Sequence, residues 1–128
     1  MNENTEKLVL IIDDSVDNCL LLTTALEGNG FSVISAENGR AALSLLAELP
    51  KLPDLIFLDA QMPVMDGYEF RREQSQCERI REIPVVVMSA DCSLEMHERM
   101  NHPKHILTKP LSLNIIVERA VASINVAP

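Results

Sequence analysis

Three short apolar runs constrain this chain more than any other feature. Leu8-Val9-Leu10-Ile11-Ile12, Leu55-Ile56-Phe57-Leu58 and Val85-Val86-Val87-Met88 contain no polar residue. A strand with one face in water alternates apolar and polar side chains, whereas a strand apolar throughout is covered on both faces. Such strands belong inside a parallel sheet flanked by helices. Phe31–Ala36 reads as a shorter, mixed strand, and residues 104–108 as a fifth. Between the strands, helical signals fall at about 15–29, 38–49, 66–79, 92–101 and 112–125. The first carries Leu22, Ala25, Leu26 and Asn29 at helical spacing, with Gly28 and Gly30 near its end. Pro50 and Pro53 stop the second. Pro103 disfavours helical geometry at His102, so the fourth is expected to be short or irregular. Strict strand–helix alternation gives an α/β fold: a (βα)5 doubly wound, five-stranded parallel sheet.

The 128 residues suit one domain, expected to span 1–128 with its core at about 7–126. Aromatics are only 3% of the chain, so the core is aliphatic. A net charge of −8 repels phosphate backbones, which argues against nucleic acid as a partner. Cys19, Cys77 and Cys92 are odd in number and lack metal-ligand spacing. They read as reduced thiols, and the expected location is cytoplasmic. No apolar stretch approaches the roughly 20 residues that span a bilayer, and no secretory segment is evident, so no membrane association is expected.

Chemistry gathers where the strands end. Asp13-Asp14 follows the first apolar run, Asp59 the second and Ser89 the third, while Lys109 follows Ile106-Leu107. In an open parallel sheet, the carboxyl ends of strands are where ligands bind. Three carboxylates make a hard, oxygen-rich site of the kind Mg²⁺ takes. A carboxylate is also a nucleophile toward phosphorus, and phosphoryl transfer needs positioning and cations above all. Lys109 and a metal would supply the cations, and Ser89 a hydroxyl donor. No Gly-rich nucleotide loop is present.

The ordered set resembles a response-regulator receiver domain of the CheY type. The residues that carry the resemblance are Asp13-Asp14, the run from Asp59 through Met62-Pro63 to Met65-Asp66-Gly67, Ser89-Ala90 and Lys109-Pro110. Asn18, Leu22, Leu26 and Gly30 support it, as do Ala36, Asn38, Gly39, Ala42 and Leu43. The resemblance covers about residues 7–126 and implies strand order 2-1-3-4-5. It implies that Asp59 accepts a phosphoryl group from the phosphohistidine of a sensor histidine kinase or a phosphotransfer protein. It implies Mg²⁺ on Asp14, Asp59 and the Gln61 carbonyl, with Asp13 acting largely through water. Lys109 would pair with Asp59 or the phosphoryl group. Ser89 would turn its hydroxyl onto that group and signal to a downstream protein at the helix 4–strand 5–helix 5 face. The Lys109–Pro110 peptide would be cis. Gln61 and Asp91 would tune the lifetime of the phosphoryl group. Such a domain is not an enzyme on another substrate, though it catalyses its own phosphorylation and dephosphorylation.

Several residues have plainer readings. Asp13-Asp14 could merely cap the first helix, and Ser89 the fourth. Asp66-Gly67 reads as a turn and helix start. His97, His102 and His105 read as surface residues rather than a metal site, and Met62, Met65, Met88, Met96 and Met100 as gap-fillers. The chain also departs from the receiver pattern. Ile106 stands three residues before Lys109, where most receivers carry Tyr or Phe, and the Ser89–Lys109 interval is about two residues short. That motivates an alternative, a receiver-like interaction module that binds partners without switching. A haloacid-dehalogenase-type phosphatase wants Asp-x-Asp in one loop, which neither Asp13-Asp14-Ser15 nor Asp59-Ala60-Gln61 supplies. No output module follows the last helix, so the expectation is a single-domain regulator, monomeric or weakly dimeric, or a receiver from a longer protein. In that helix Leu113, Ile116, Val117, Ala120, Val121 and Ile124 are expected to face the sheet, with Ile115, Ala122 and Val126 opposite.

Overall fold

The computed structural model describes residues 7–62 and 65–125. Pro63, Val64 and Val126 therefore lie outside the described residues. The elements alternate without exception: β1 Leu8–Ile12, α1 Val16–Glu27, β2 Ser32–Ala36, α2 Gly39–Glu48, β3 Leu55–Asp59, α3 Gly67–Ser75, β4 Val85–Ser89, α4 Leu94–Arg99, β5 His105–Thr108 and α5 Leu113–Asn125. All four strand pairings are parallel, and the order is β2-β1-β3-β4-β5. The expected (βα)5 sheet and its strand order are both present.

The continuous apolar runs are explained by two cores, one on each face of the sheet. Leu10, Ile12, Ile56, Leu58, Val85 and Val87 pack on one side with Ala42, Leu46, Phe70 and Met96 from α2, α3 and α4. The intervening residues Val9, Ile11, Leu55, Phe57, Val86 and Met88 pack on the other side with α1 and α5. Side chains alternate across a strand, so a strand buried on both faces has no place for a polar residue. Each such side chain contributes about 1.5–3 kcal/mol on burial, and these twelve anchor the three central strands. The edge strand β2 is only partly buried, which fits its mixed sequence.

Local signals fix the helix ends. Ser15, Asn38, Asp66 and Ser93 cap α1 to α4, each accepting a backbone N–H three residues on. Asp66 and Glu69 form a reciprocal capping box, so Asp66-Gly67 is the helix start expected of it. Gly67 also donates its N–H to the Ala60 carbonyl at 3.1 Å. A Cβ there would lie 2.9 Å from Ala60 Cα and collide with the Asp59 carbonyl. Glycine thus lets α3 start directly against the end of β3.

Three sequence expectations need correction. The third helix stops at Ser75, not near 79. The buried Gln74 side chain donates to the Ile80 and Ile83 carbonyls at 3.0 and 3.1 Å. It folds the following turn back so that Ile80 enters the core. The fourth helix is short, as Pro103 leads one to expect, but its bounds are Leu94–Arg99 rather than 92–101, with Asn101 and His102 at φ of 63° and 52° ahead of Pro103. In α5, Leu113 and Val121 are exposed rather than facing the sheet. The helix buries Ile116, Ala120 and Ser123, with Val117 and Ile124 half-buried. The inward stripe is rotated toward Ser123, a polar residue that an apolar wheel leaves out. Ile115 and Ala122 are exposed as expected.

Candidate functional site

The four strand ends converge at one edge of the sheet. Asp59 is the last residue of β3 and only 3% exposed. Its Oδ1 accepts a hydrogen bond from Lys109 Nζ at 2.9 Å and one from the Gln61 N–H at 3.3 Å. Both go to Oδ1, so Oδ2 is left open among the described residues. Lys109 reaches Asp59 from the loop after β5, where its own N–H donates to the Ser89 carbonyl at 3.0 Å. The Lys109–Pro110 peptide is cis.

Asp13 follows β1 and is 2% exposed. Its carboxylate accepts from the Ser15 N–H at 2.9 Å and from Asn18 Nδ2 at 3.2 Å. Asn18 supports the resemblance, but the sequence alone does not reveal its positioning role, which needs the bond to Asp13. It sits one turn into α1, and the cap at Ser15 turns it toward Asp13. The cap of α1 is Ser15 rather than the aspartates, so Asp13 and Asp14 are not spent on the helix end. Asp14 is exposed beside them. Carboxylate oxygens of Asp13, Asp14 and Asp59 all lie within 4.8 Å of one another. Burial, and then the charge of Asp59, push the Asp13 carboxyl above its ordinary range against the Ser15 and Asn18 hydrogen bonds and the Lys109 charge. Such crowding fits a divalent cation: it supplies hard oxygen donors and leaves a repulsion that a metal would relieve. Among the described residues this is the only group of three or more His, Cys, Asp or Glu side chains so placed. Gln61 is exposed at the mouth.

Ser89 ends β4, 4% exposed. Its hydroxyl donates to the Asp91 carbonyl at 2.9 Å and accepts from the Asp91 N–H at 3.0 Å. It does not cap α4; Ser93 does, four residues later. Cys92 lies exposed at the same rim, its Sγ 3.5 Å from Thr108 Oγ1. Ile106 pairs with Val87 and is half-buried, and its carbonyl accepts from Arg119 Nε at 3.3 Å.

The profile of the response regulator receiver domain matches residues 9–121. The polar-differentiation response regulator DivK of Brucella anthropi is 31% identical over 114 residues, covering 88% of this chain and 91% of DivK. The sensor histidine kinase CheAY of Helicobacter pylori is 29% identical over 127 residues, covering 94% of this chain but 16% of that protein. The chain spans less than two thirds of the length of several relatives. Among solved structures, the receiver domain of a signal transduction histidine kinase from Syntrophus aciditrophicus superimposes with a TM-score of 0.82 at 28% identity, covering 92% of this chain and 89% of that one.

Proposed function

This chain belongs to the response regulator receiver domain family of two-component signalling, and from that premise we propose that Asp59 is its phosphoacceptor. The observation that carries the reading is the buried Asp59 carboxylate, held through Oδ1 by Lys109 with Oδ2 open. An Asp59 oxygen attacks the phosphorus of a phosphohistidine. The N–P bond breaks and its electron pair returns to the imidazole. Donors of this kind sit on a sensor histidine kinase or a phosphotransfer protein, and such a protein is the upstream partner proposed here.

Asp13, Asp14, Asp59 and Gln61 are the residues that would hold Mg²⁺. Bound there, the ion would neutralise charge on the transferring oxygens. Lys109 supplies a second cation from the protein itself. Ser89 adds a hydroxyl donor once it releases the Asp91 carbonyl, and that exchange loosens the start of the loop into α4. Gln61 and Asp91 lie two residues past Asp59 and Ser89 and are both exposed, which supports assigning them the tuning of water attack on the acyl phosphate. The proposed setting is cytoplasmic, and no helix among the described residues is long and apolar enough to cross a membrane.

The downstream face is assigned to α4, β5 and α5, where Leu94 is 73% and Ile115 38% exposed. Ile106 favours one further reading, a module that binds constitutively, because an aliphatic side chain cannot perform the aromatic rotation that couples most receivers. The test is intact-mass analysis after incubation with acetyl phosphate and Mg²⁺. The parent should gain one phosphoryl group, and Asp59→Asn none. An unlabelled parent would sink the phosphoacceptor reading and leave the constitutive one.

A further inference from the structure

A second polar constellation lies at the opposite edge of the sheet, where β3, β4 and β5 begin. It surrounds a cavity of about 630 Å³, a volume in the range of small-molecule sites. The cations Lys7, Arg71, Arg81 and Lys104 line it against the carboxylates Asp54 and Glu82, an excess of two positive charges on a chain of net charge −8. Asp54 is committed to the Leu8 N–H at 2.9 Å, and Glu82 lies 3.8 Å from Arg81.

Two groups there have unmet demands. The Arg71 guanidinium donates to the Met100 carbonyl at 2.8 Å, Gln74 Oε1 at 3.0 Å and the Asn101 carbonyl at 3.3 Å. All three acceptors are neutral, and no carboxylate pairs with it among the described residues. A guanidinium has five N–H donors, so part of its fork remains free. Ser123 is 4% exposed, and its Oγ has no hydrogen-bond partner among the described residues. A buried hydroxyl without a partner costs about 1–3 kcal/mol, which Ser123 would recover by turning its side chain toward a ligand in the cavity it lines.

We propose that this cavity binds a phosphate-bearing small molecule, with Arg71, Lys104 and Ser123 as its anion contacts. A planar guanidinium fork, an ammonium and a hydroxyl match phosphoryl oxygens, and the charge excess matches a dianion. Two pKa shifts run in the direction that burial beside cations gives. Burial lowers the pKa of Arg71, and burial followed by Arg119 and Lys104 lowers that of His105. The site stands apart from Asp59 and requires no phosphoryl transfer.

The test uses the Asp59→Asn protein in EDTA, which removes both the phosphoacceptor and its metal. Inorganic phosphate and a nucleoside monophosphate are titrated in, with acetate and chloride at matched ionic strength as comparators, and amide NMR shifts are read. Phosphate should give saturable shifts at Arg71, Asn101, His105 and Ser123 and leave Asp13 and Asp14 unmoved. The exposed-residue change Lys104→Ala should weaken binding about tenfold, the scale of one charged contact. Ser123→Ala should weaken it while leaving the fold as stable as the parent or more so. Unsaturable shifts, equal shifts with chloride, or parental affinity in both variants would overturn the site. Tighter saturation by acetate than by phosphate would overturn the phosphate assignment.

Discussion

Asp13→Asn should stabilise the metal-free protein. The substitution is nearly isosteric, and asparagine Oδ1 can still accept the 2.9 Å bond from the Ser15 N–H. What it removes is a carboxylate with oxygens within 4.8 Å of those of Asp14 and Asp59. At an effective dielectric constant of about 20, two unit charges at that distance repel by about 3.5 kcal/mol. Two terms oppose the gain. Lys109 attracts Asp13 as well as Asp59, and the Asn18 amide loses its carboxylate acceptor. A net gain of about 1 kcal/mol remains, or about 4 °C in Tm for a domain of this size. The pH dependence fixes the sign. Because the folded protein raises the Asp13 pKa above its ordinary 3.8, the parent is spared the ionisation penalty well below that pH. It loses stability as pH rises through the raised value. The advantage of the variant should therefore be full at pH 7 and vanish well below pH 3.8. Mg²⁺ should reverse the order, since a ligand at a hundred times its Kd stabilises by about 2.7 kcal/mol and the variant has lost a carboxylate. Melting curves in EDTA and in Mg²⁺ across pH measure all of this. A variant that melts below the parent in EDTA at pH 7 would refute the reasoning.

Lys109→Met leaves the buried Asp59 carboxylate without its ammonium and should cost about 3 kcal/mol in urea unfolding, the low end for a buried pair because Lys109 is partly exposed, with phosphorylation by acetyl phosphate strongly slowed. A variant as stable as the parent would show that the pair holds nothing in place. Exchanging Gln61 or Asp91 should change the dephosphorylation rate while Mg²⁺ affinity stays near parental, as followed by loss of label after removal of the donor. Identical lifetimes in both variants would remove these residues from the path of the attacking water. Ile115→Glu should leave labelling and Tm unchanged, because the residue is exposed, but weaken self-association or target binding in sedimentation and pull-down assays. Association equal to the parent would move the partner face elsewhere.

The central strands were legible because burial on both faces admits no polar residue, which left three unbroken apolar runs. The acidic edge was legible for a related reason: in a parallel sheet the residue after each run falls at the same edge, so Asp13, Asp59, Ser89 and Lys109 had to meet. Residues whose placement depends on a distant partner were not. Gln74 ends α3 with its side chain through carbonyls six and nine residues on, and no helix-breaking residue announces it. Ser123 lies in a buried stripe that an apolar wheel assigns to Val121. Ser93 rather than Ser89 caps α4 because the helix begins only at Leu94, while Ser89 still belongs to β4 and bonds Asp91. The cationic cavity draws Lys7, Arg71, Arg81 and Lys104 from four separate segments, so no local pattern in the chain reveals it.

The central claim is that one carboxylate, Asp59, takes the phosphoryl group. Borohydride reduces an aspartyl phosphate to homoserine and so records the acceptor within the chain. After incubation with acetyl phosphate and Mg²⁺, borohydride reduction and peptide mapping, the conversion should fall on position 59 alone and depend on Mg²⁺. Conversion at Asp13 or Asp14, or conversion unchanged in EDTA, would contradict the account.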